Sequence, residues 1–393
     1  MKIAPVSEAD RIRQLDIIRG FALFGILLVN MPSYLHPALF TTVAGLPVDH
    51  TPLDEWIRLL FDMFVQTKFY TIFSFLFGVG FYVFMSRAEQ KGLPMNQLFL
   101  RRLMVLLLIG MLHMFLLWYG DILHTYAIAG FFLMLFYKKK KATVHRWAWT
   151  LLIIMQTLLG LTLLIPGSLA GTRSALAQQA IEVYNNGSWG EWMQFRWLHE
   201  IPFVMGNELF ALLSVMPLLL FGFSAAREGV FSRTAEHRAA IWRVWRISLI
   251  ASIPLVAMIP LVKYEVVRFP AAPELAIQVF VNWSGLALCA FYITSLLLLL
   301  AKESWLNRLA GLALVGRMSL TQYLLQTVLF VSITRLFSLY GSVSLVWGVL
   351  SCIVLFGCQV AFSRWWLERY SYGPLEWVWR CCTYAAIVPL KRE

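Results

Sequence analysis

The chain is built around apolar runs long enough to cross a lipid bilayer. A bilayer core about 30 Å thick takes about 20 apolar residues per helix. Ten such runs are read, over about residues 17–35, 67–86, 103–119, 121–137, 147–166, 208–226, 247–262, 276–300, 318–337 and 344–363. Lipid offers no partner to open backbone, and the runs lack the alternation of barrel strands, so each is a helix. The fold class is therefore all-α. The expectation is a polytopic membrane protein of about ten transmembrane helices, in one domain over residues 1–393. The third and fourth runs meet at a tight turn, Tyr119-Gly120-Asp121. Composition points the same way. Sixty per cent of the residues are apolar and 14% charged, against about 45–50% and about 25% in soluble domains. A soluble enzyme, a disordered chain and a nucleic-acid-binding domain are excluded. A net charge of +12 would otherwise suggest nucleic acid, but the basic residues lie between the runs.

Lysine and arginine set the expected orientation. With the N-terminus inside, 26 of the 33 basic residues fall in inner segments, while the 21 acids divide 10 inside and 11 outside. A bias confined to Lys and Arg is what the positive-inside rule requires, so both termini are expected in the cytoplasm. The first run, broken by Asn30 and Pro32 with no small-residue cleavage site after it, is read as a span and not as a cleaved signal peptide. Two outer segments are long, 36–66 and 167–207. Helical spacing from Trp56 to Val65 predicts an interfacial helix in the first. The second is polar and rich in Trp, as suits a lid at headgroup level. A further interfacial helix is expected over about 372–390. Cys289, Cys352, Cys358, Cys381 and Cys382 show neither a disulfide pattern nor a zinc spacing.

Ionisable and strongly polar groups within spans are the candidates for chemistry. Arg19 and Asn30 are 11 residues apart, about three turns, and share one face of the first span. That face is either a polar path through the membrane or an arginine at the headgroups plus a capping amide. His113 stands in a run with no other charge; it is either a hydrogen-bonded core histidine or a proton-transfer group. Asp121 and His124, three residues apart, can pair as acid and imidazole or lie in a solvated loop. Lys68, at the outer end of the second span, binds an anion or reaches to the headgroups. Gln322 and Gln326 share a face of the ninth span, open to substrate or to a neighbouring helix. His36, His50, His199 and Glu200 have no ligand spacing, so no metal is expected. Arg101 and Arg102 join Arg19 as candidates for phosphate, which guanidinium binds bidentately; anionic lipid is the plainer partner. No glycine-rich phosphate loop accompanies them.

These residues also carry a resemblance. Arg13-Gln14-Leu15-Asp16-Ile17-Ile18-Arg19-Gly20-Phe21-Ala22, running on through Gly25-Ile26-Leu27 to Asn30, resembles the opening of the YeiB-like bacterial membrane proteins. So do Lys68 through Phe77-Gly78, Gly110 through His113 to Asp121-Ile122-Leu123, Gly316 through Gln326, and Gly373-Pro374-Leu375-Glu376-Trp377. The motifs occur in order along nearly the whole chain. This family, domain of unknown function 418, brings no settled activity with it. More distantly, Asp16, Arg19-Gly20 and Asn30 are similar to the first span of the transmembrane acyltransferase superfamily. That group includes acyltransferase-3 and heparan-glucosaminide acetyltransferase types. Where acyltransferase-3 proteins carry a histidine, this chain has Asn30, as the heparan-glucosaminide branch does. His36 stands in the place of that branch's outer histidine, at a shorter spacing. Arg101-Arg102 approximates a more widely spaced arginine pair.

The resemblance implies transfer of an acyl group from cytoplasmic acyl-CoA or acetyl-CoA to an acceptor at the outer face of the bacterial inner membrane. Asp16, Arg19, Arg101 and Arg102 are then the expected CoA-binding residues. Asn30 is the oxyanion donor and His113 or His36 the base, positioned by Asp121. Lys68, His124, Gln322 and Gln326 are the expected substrate contacts. The expected partners are membrane lipids, an envelope glycan or lipid acceptor, and a second copy of the chain in a homodimer. The alternative is a transporter or lipid-handling protein whose polar path titrates.

Overall fold

A computed structural model describes residues 11–44, 51–166 and 173–392. In order the helices are α1 (Arg13–Leu35), α2 (Ala38–Ala44), α3 (Pro52–Phe64), α4 (Lys68–Gln90), α5 (Met95–Leu116), α6 (Leu123–Met134) and α7 (Lys141–Leu161). Then come α8 (Arg173–Asn186), α9 (Trp189–Phe195), α10 (Ile201–Gly206), α11 (Glu208–Arg227), α12 (Arg238–Lys263) and α13 (Pro273–Leu299). The last are α14 (Glu303–Arg308), α15 (Ala310–Arg317), α16 (Ser319–Leu336), α17 (Leu345–Leu367) and α18 (Pro374–Tyr384). The protein is an all-α polytopic membrane protein.

Among the described residues, eight helical stretches are long and apolar enough to cross a membrane: Arg13–Leu35, Pro52–Gln90, Met95–Leu116, Lys141–Leu164, Glu208–Arg227, Arg238–Lys263, Pro273–Leu299 and Leu345–Leu367. Two of the ten expected runs fall short for different reasons. Helix α6 has 12 residues, about 18 Å of rise. Helix α16 buries Thr321, Gln322, Gln326, Thr327 and Thr334, so it reads as too polar for lipid. It tolerates them because it sits inside the bundle, packed on α1, α15 and α18.

Helix α1 lies at the centre, against α4, α15, α16 and α17. Ile17, Ile18, Ala22, Leu23, Leu27 and Met31 are wholly buried there. Its crossing with α15 is very close. A Cβ on Gly20 would strike the Leu312 carbonyl, and one on Gly316 the Asp16 carbonyl. Small residues let membrane helices approach this way, where lipid supplies no hydrophobic drive between them. Gly78 and Gly222 do the same for α4 and α11.

The interfacial helix expected from Trp56 to Val65 is α3, started by a capping box between Thr51 and Asp54. Asp54 is also wholly buried, and its Oδ1 accepts from the Val346 N–H at 3.1 Å, which fastens α3 to α17. The C-terminal helix is α18. His50 lies outside the described residues, as does Lys2, one of the basic residues assigned to the inner segments.

The segment expected as a lid is a folded cap of α8, α9, a π-turn (Arg196–Glu200) and α10. Arg196 is wholly buried within it. It donates to the carbonyls of Met114 (2.5 Å) and Phe115 (3.3 Å), the last turn of α5, and to Glu200 Oε2 (3.3 Å). Tyr184 Oη donates to Glu200 at 2.8 Å. From α16, Arg335 donates to the carbonyls of Val183, Tyr184 and Gly187 at the end of α8. Both guanidinium groups lie over the Trp192 ring. Cations at helix C-termini meet orphan carbonyls and the negative end of the dipole.

Candidate functional site

Opposite the cap, α1, α4, α5, α16 and α18 surround a cavity of about 260 Å³. Its mouth gathers Arg11, Arg19, Arg102, Arg317 and Arg380, with the carboxylates of Asp16 and Glu376. Five arginines against two acids make the mouth positive. Arg19 donates to Asp16 Oδ1 at 3.0 Å, and Arg11 lies 3.7 Å from the other oxygen. Arg102 stacks on Trp379, its guanidinium carbon 3.6 Å from the ring centre, and Arg380 covers Tyr372. Burial lowers the proton affinity of Arg11; Asp16 opposes this, while Arg317, Arg380 and Arg19 add to it. Glu376 accepts from the Leu320 and Thr321 N–H groups at the start of α16, at 2.7 and 3.1 Å. Burial nevertheless pushes its carboxyl above the usual range. These contacts hold α18 as one wall of the mouth.

Beyond the mouth the walls turn apolar: Leu23, Ile26, Phe73, Leu76, Phe77 and Leu106. The deep end reaches Ile122, Leu123, Tyr126 and Tyr323. Immediately behind these residues is a buried cluster. The His113 ring centre lies 5.3 Å from that of Tyr323. His113 Nδ1 is 2.7 Å from Asp121 Oδ2, and His124 Nδ1 is 2.8 Å from Asp121 Oδ1. His124 Nε2 is 3.0 Å from Glu208 Oε2. His113, Asp121 and His124 are all buried. Helix α5 ends at Leu116, so Trp118 to Ile122 turn back and set Asp121 against His113. Gly110 makes this possible: a Cβ there would lie 2.8 Å from Asp121 Oδ1 and 2.5 Å from the His124 nitrogen. A carboxylate on Nδ1–H fixes the tautomer and leaves Nε2 as the basic nitrogen. His113 Nε2 is buried and has no hydrogen-bond partner among the described residues.

The structure divides the sequence candidates. Asp16, Arg19 and Arg102 line the mouth. Asp121 and His124 pair as acid and imidazole, not as a solvated loop, and His113 joins them. Arg101 is exposed and away from the cavity. Neighbouring helical residues point about 100° apart, so it cannot face inward beside Arg102. Asn30 bonds Tyr34, whose hydroxyl also meets Thr327 at 2.9 Å; it does not line the cavity. His36 is buried at the far end of α1, where its N–H caps Pro32. Lys68 is wholly buried, with Nζ on the carbonyls of Asp62 (2.7 Å) and Val281 (3.3 Å). Gln322 donates to Ser363 Oγ (2.8 Å) and Gln326 to Gln359 Oε1 (2.9 Å), so both join α16 to α17. Glu200 belongs to the cap. Among the described residues no group of His, Cys, Asp and Glu is placed to share a metal.

Sequence reasoning read Arg11, Arg317 and Arg380 as orientation charges only, and it missed Glu208 and Glu376 as site residues. The conspicuous Gly316-Arg317 and Gly373-Pro374-Leu375-Glu376-Trp377 motifs point at this mouth. Nothing local marks Glu208, which comes to His124 across 84 residues of chain.

Residues 225–386 match a family model described as "Protein of unknown function (DUF418)". The chain is 32% identical to the uncharacterized protein YxaH of Bacillus subtilis (strain 168), over all of this chain and 98% of that protein. It is 30% identical to an uncharacterized 39.9 kDa protein in the amylase 3' region of Bacillus acidopullulyticus, over 99% of each. It is 26% identical to the uncharacterized protein YeiB of Escherichia coli (strain K12), over 95% of this chain and 97% of that protein. No solved structure matches. These full-length similarities place the chain in the YeiB-like family that carries the DUF418 region.

Proposed function

We propose that this protein is a membrane-embedded acyltransferase. It takes an acyl group from acyl-CoA or acetyl-CoA at its basic end and passes it to a hydroxyl or amine on an envelope glycan or lipid headgroup. The observation that carries this reading is one cavity with three properties in sequence: a mouth of five arginines, an apolar wall, and a deep end against a carboxylate-held histidine. Guanidinium groups suit the phosphates of CoA, and an apolar wall suits an acyl chain. The positive-inside bias makes the basic end cytoplasmic, where CoA is found, in the bacterial inner membrane.

The roles follow from position. Arg11, Arg19, Arg102, Arg317 and Arg380 bind and orient the anionic part of the donor. Leu23, Ile26, Leu76 and Leu106 exclude water from the acyl part. Asp121 holds His113 through Nδ1–H, and Nε2 takes the proton of the acceptor as it attacks the thioester carbonyl. As the C–S bond breaks, the departing sulfur takes that same proton, given up by His113 Nε2, and leaves as the free thiol. His36 and Asn30, both away from the cavity, have no part in this reading.

The test is thermal unfolding of the purified protein with and without CoA and acetyl-CoA. A ligand of the folded state at 100 times its Kd adds about 2.7 kcal/mol. A saturable shift, lost in Arg19→Ala and kept in His113→Gln, is expected; acyl transfer then disappears in His113→Gln. No shift at millimolar CoA overturns the reading. A proton-coupled transporter is the second reading, favoured by the buried His–Asp–His–Glu cluster; uptake into vesicles without CoA would establish it.

A further inference from the structure

The cluster behind the cavity is longer than a base and its orienting acid require. It is a row of two imidazoles and two carboxylates: His113, Asp121, His124, Glu208. Asp121 accepts one Nδ1–H from each ring, and also the His124 backbone N–H at 3.0 Å. Once both rings give their Nδ1–H to Asp121, a neutral His124 presents only a lone pair at Nε2. An ionised Glu208 would face it with another lone pair at 3.0 Å. At this distance the contact holds one further proton, on His124 or on Glu208, and Glu208 must swing off Nε2 once that proton is gone. His113 Nε2, in contrast, faces no acceptor. The row therefore holds one proton beyond the count for neutral imidazoles and ionised carboxylates.

We propose that this extra proton is mobile and is the counterweight to His113. When His113 gains a proton at Nε2, His124 gives up its Nε2 proton to Glu208, from which it leaves. The charge of the row is the same before and after: two carboxylates and one imidazolium. Holding the charge constant matters in a buried site, where a second imidazolium would lean on the one carboxylate that both rings share. Two features serve the exchange. Glu208 Oε1 has no hydrogen-bond partner among the described residues, so the carboxylate has an acceptor to offer. Thr125 Oγ1 lies 3.2 Å from Glu208 Oε2 and 3.4 Å from His124 Nε2. Its hydroxyl donates to Glu208 while the proton is in place and turns to His124 Nε2 once the proton has gone. The ionisable groups facing Asp121 from the helices packed around it are the phenols of Tyr34 on α1, Tyr126 on α6 and Tyr323 on α16. None of them competes for the proton near neutral pH. Glu208 and His124 are positioning residues on this view, acting on the reaction only through His113.

The consequence for catalysis rests on the reading of His113 as base, but the shared proton is measured without any acyl donor. Full-length protein labelled with ¹⁵N-histidine is read by NMR near neutral pH, with His113→Gln and His124→Gln to assign the two rings. The expected wild-type pattern is His124 protonated on both nitrogens and His113 on Nδ1 alone. In Glu208→Gln the proton moves across, raising the ratio of protonated to bare His113 Nε2 about tenfold. Glu208→Asp keeps the wild-type pattern. A purely structural role for Glu208 would lower the melting temperature and leave the His113 nitrogens unchanged. A wild-type His124 with a single proton, or a Glu208→Gln protein with both rings as in wild type, overturns the proposal. If Glu208→Gln does not fold, the wild-type pattern decides alone. Absence of a CoA-induced shift would sink the acyl-transfer reading and leave this one standing.

Discussion

Arginines occur at both ends of the bundle and behave in opposite ways. In the cap, Arg196 and Arg335 point at backbone carbonyls at the ends of α5 and α8. At the mouth, Arg11 and Arg19 meet Asp16, Arg102 and Arg380 lie over aromatic rings, and Arg317 lines the same opening with Glu376 as the second carboxylate. The first group completes helices; the second concentrates charge around an opening. The same residue type is structural where fixed acceptors surround it and suited to a ligand where like charges do.

The comparison predicts a hierarchy of effects. The largest is for Arg196→Met, which leaves Glu200 buried without its cation and uncaps α5. A loss of about 3–5 kcal/mol is expected, read as thermal unfolding in detergent. A loss under about 1 kcal/mol would place the cap arginines with those of the mouth. Next is Gly110→Ala, which pushes a methyl into Asp121 and His124. It should cost about 1–3 kcal/mol, as overpacking does, and change the His113 nitrogen signals; unchanged signals would mean that the turn yields without moving the row.

A smaller effect is the pH dependence of the cap. Burial pushes Glu200 up to about 7, against the pull of Arg196 and Tyr184. Its folded value lies above the ordinary carboxylate value of 4.5. The stability it lends is therefore full below that value and is lost as the pH rises through about 7. Glu200→Gln should flatten the melting temperature between pH 5 and pH 8, taken as about the range around that value; an unchanged slope would assign the dependence to other groups. Smallest in stability is Arg19→Ala. Its ion pair with Asp16 is partly exposed, so less than about 1 kcal/mol is expected, while CoA-induced stabilisation disappears. A large stability loss with CoA binding intact would erase the contrast between the two ends.

Much of this was legible beforehand, and the reasons are local. The spans follow from the apolar runs, and α3 and α18 from helical spacing and their flanking residues. The turn at Gly120 brought Asp121 to His124 because three residues on a helix start are near neighbours wherever that helix goes. Arg101 and Arg102 could not be told apart in one dimension; the packing of α18 chose Arg102 through Trp379. Gln322 and Gln326 were rightly seen to share a face, but only the position of Gln359 and Ser363 on α17 shows what that face meets. Lys68 read as a surface cation because its partners are carbonyls, which carry no signature in a sequence.

By itself, then, the sequence determined the solvent this chain lives in, its helical character and the end at which its charge collects. Those depend on counts and spacings along one strand of chain, and lipid punishes any alternative backbone. Only the tertiary structure decided which arginines share a mouth and which candidates lie outside it. It also decided that Glu208 completes the row begun by His113. Those are distances between segments far apart in sequence, fixed by how closely glycine-lined helices can approach.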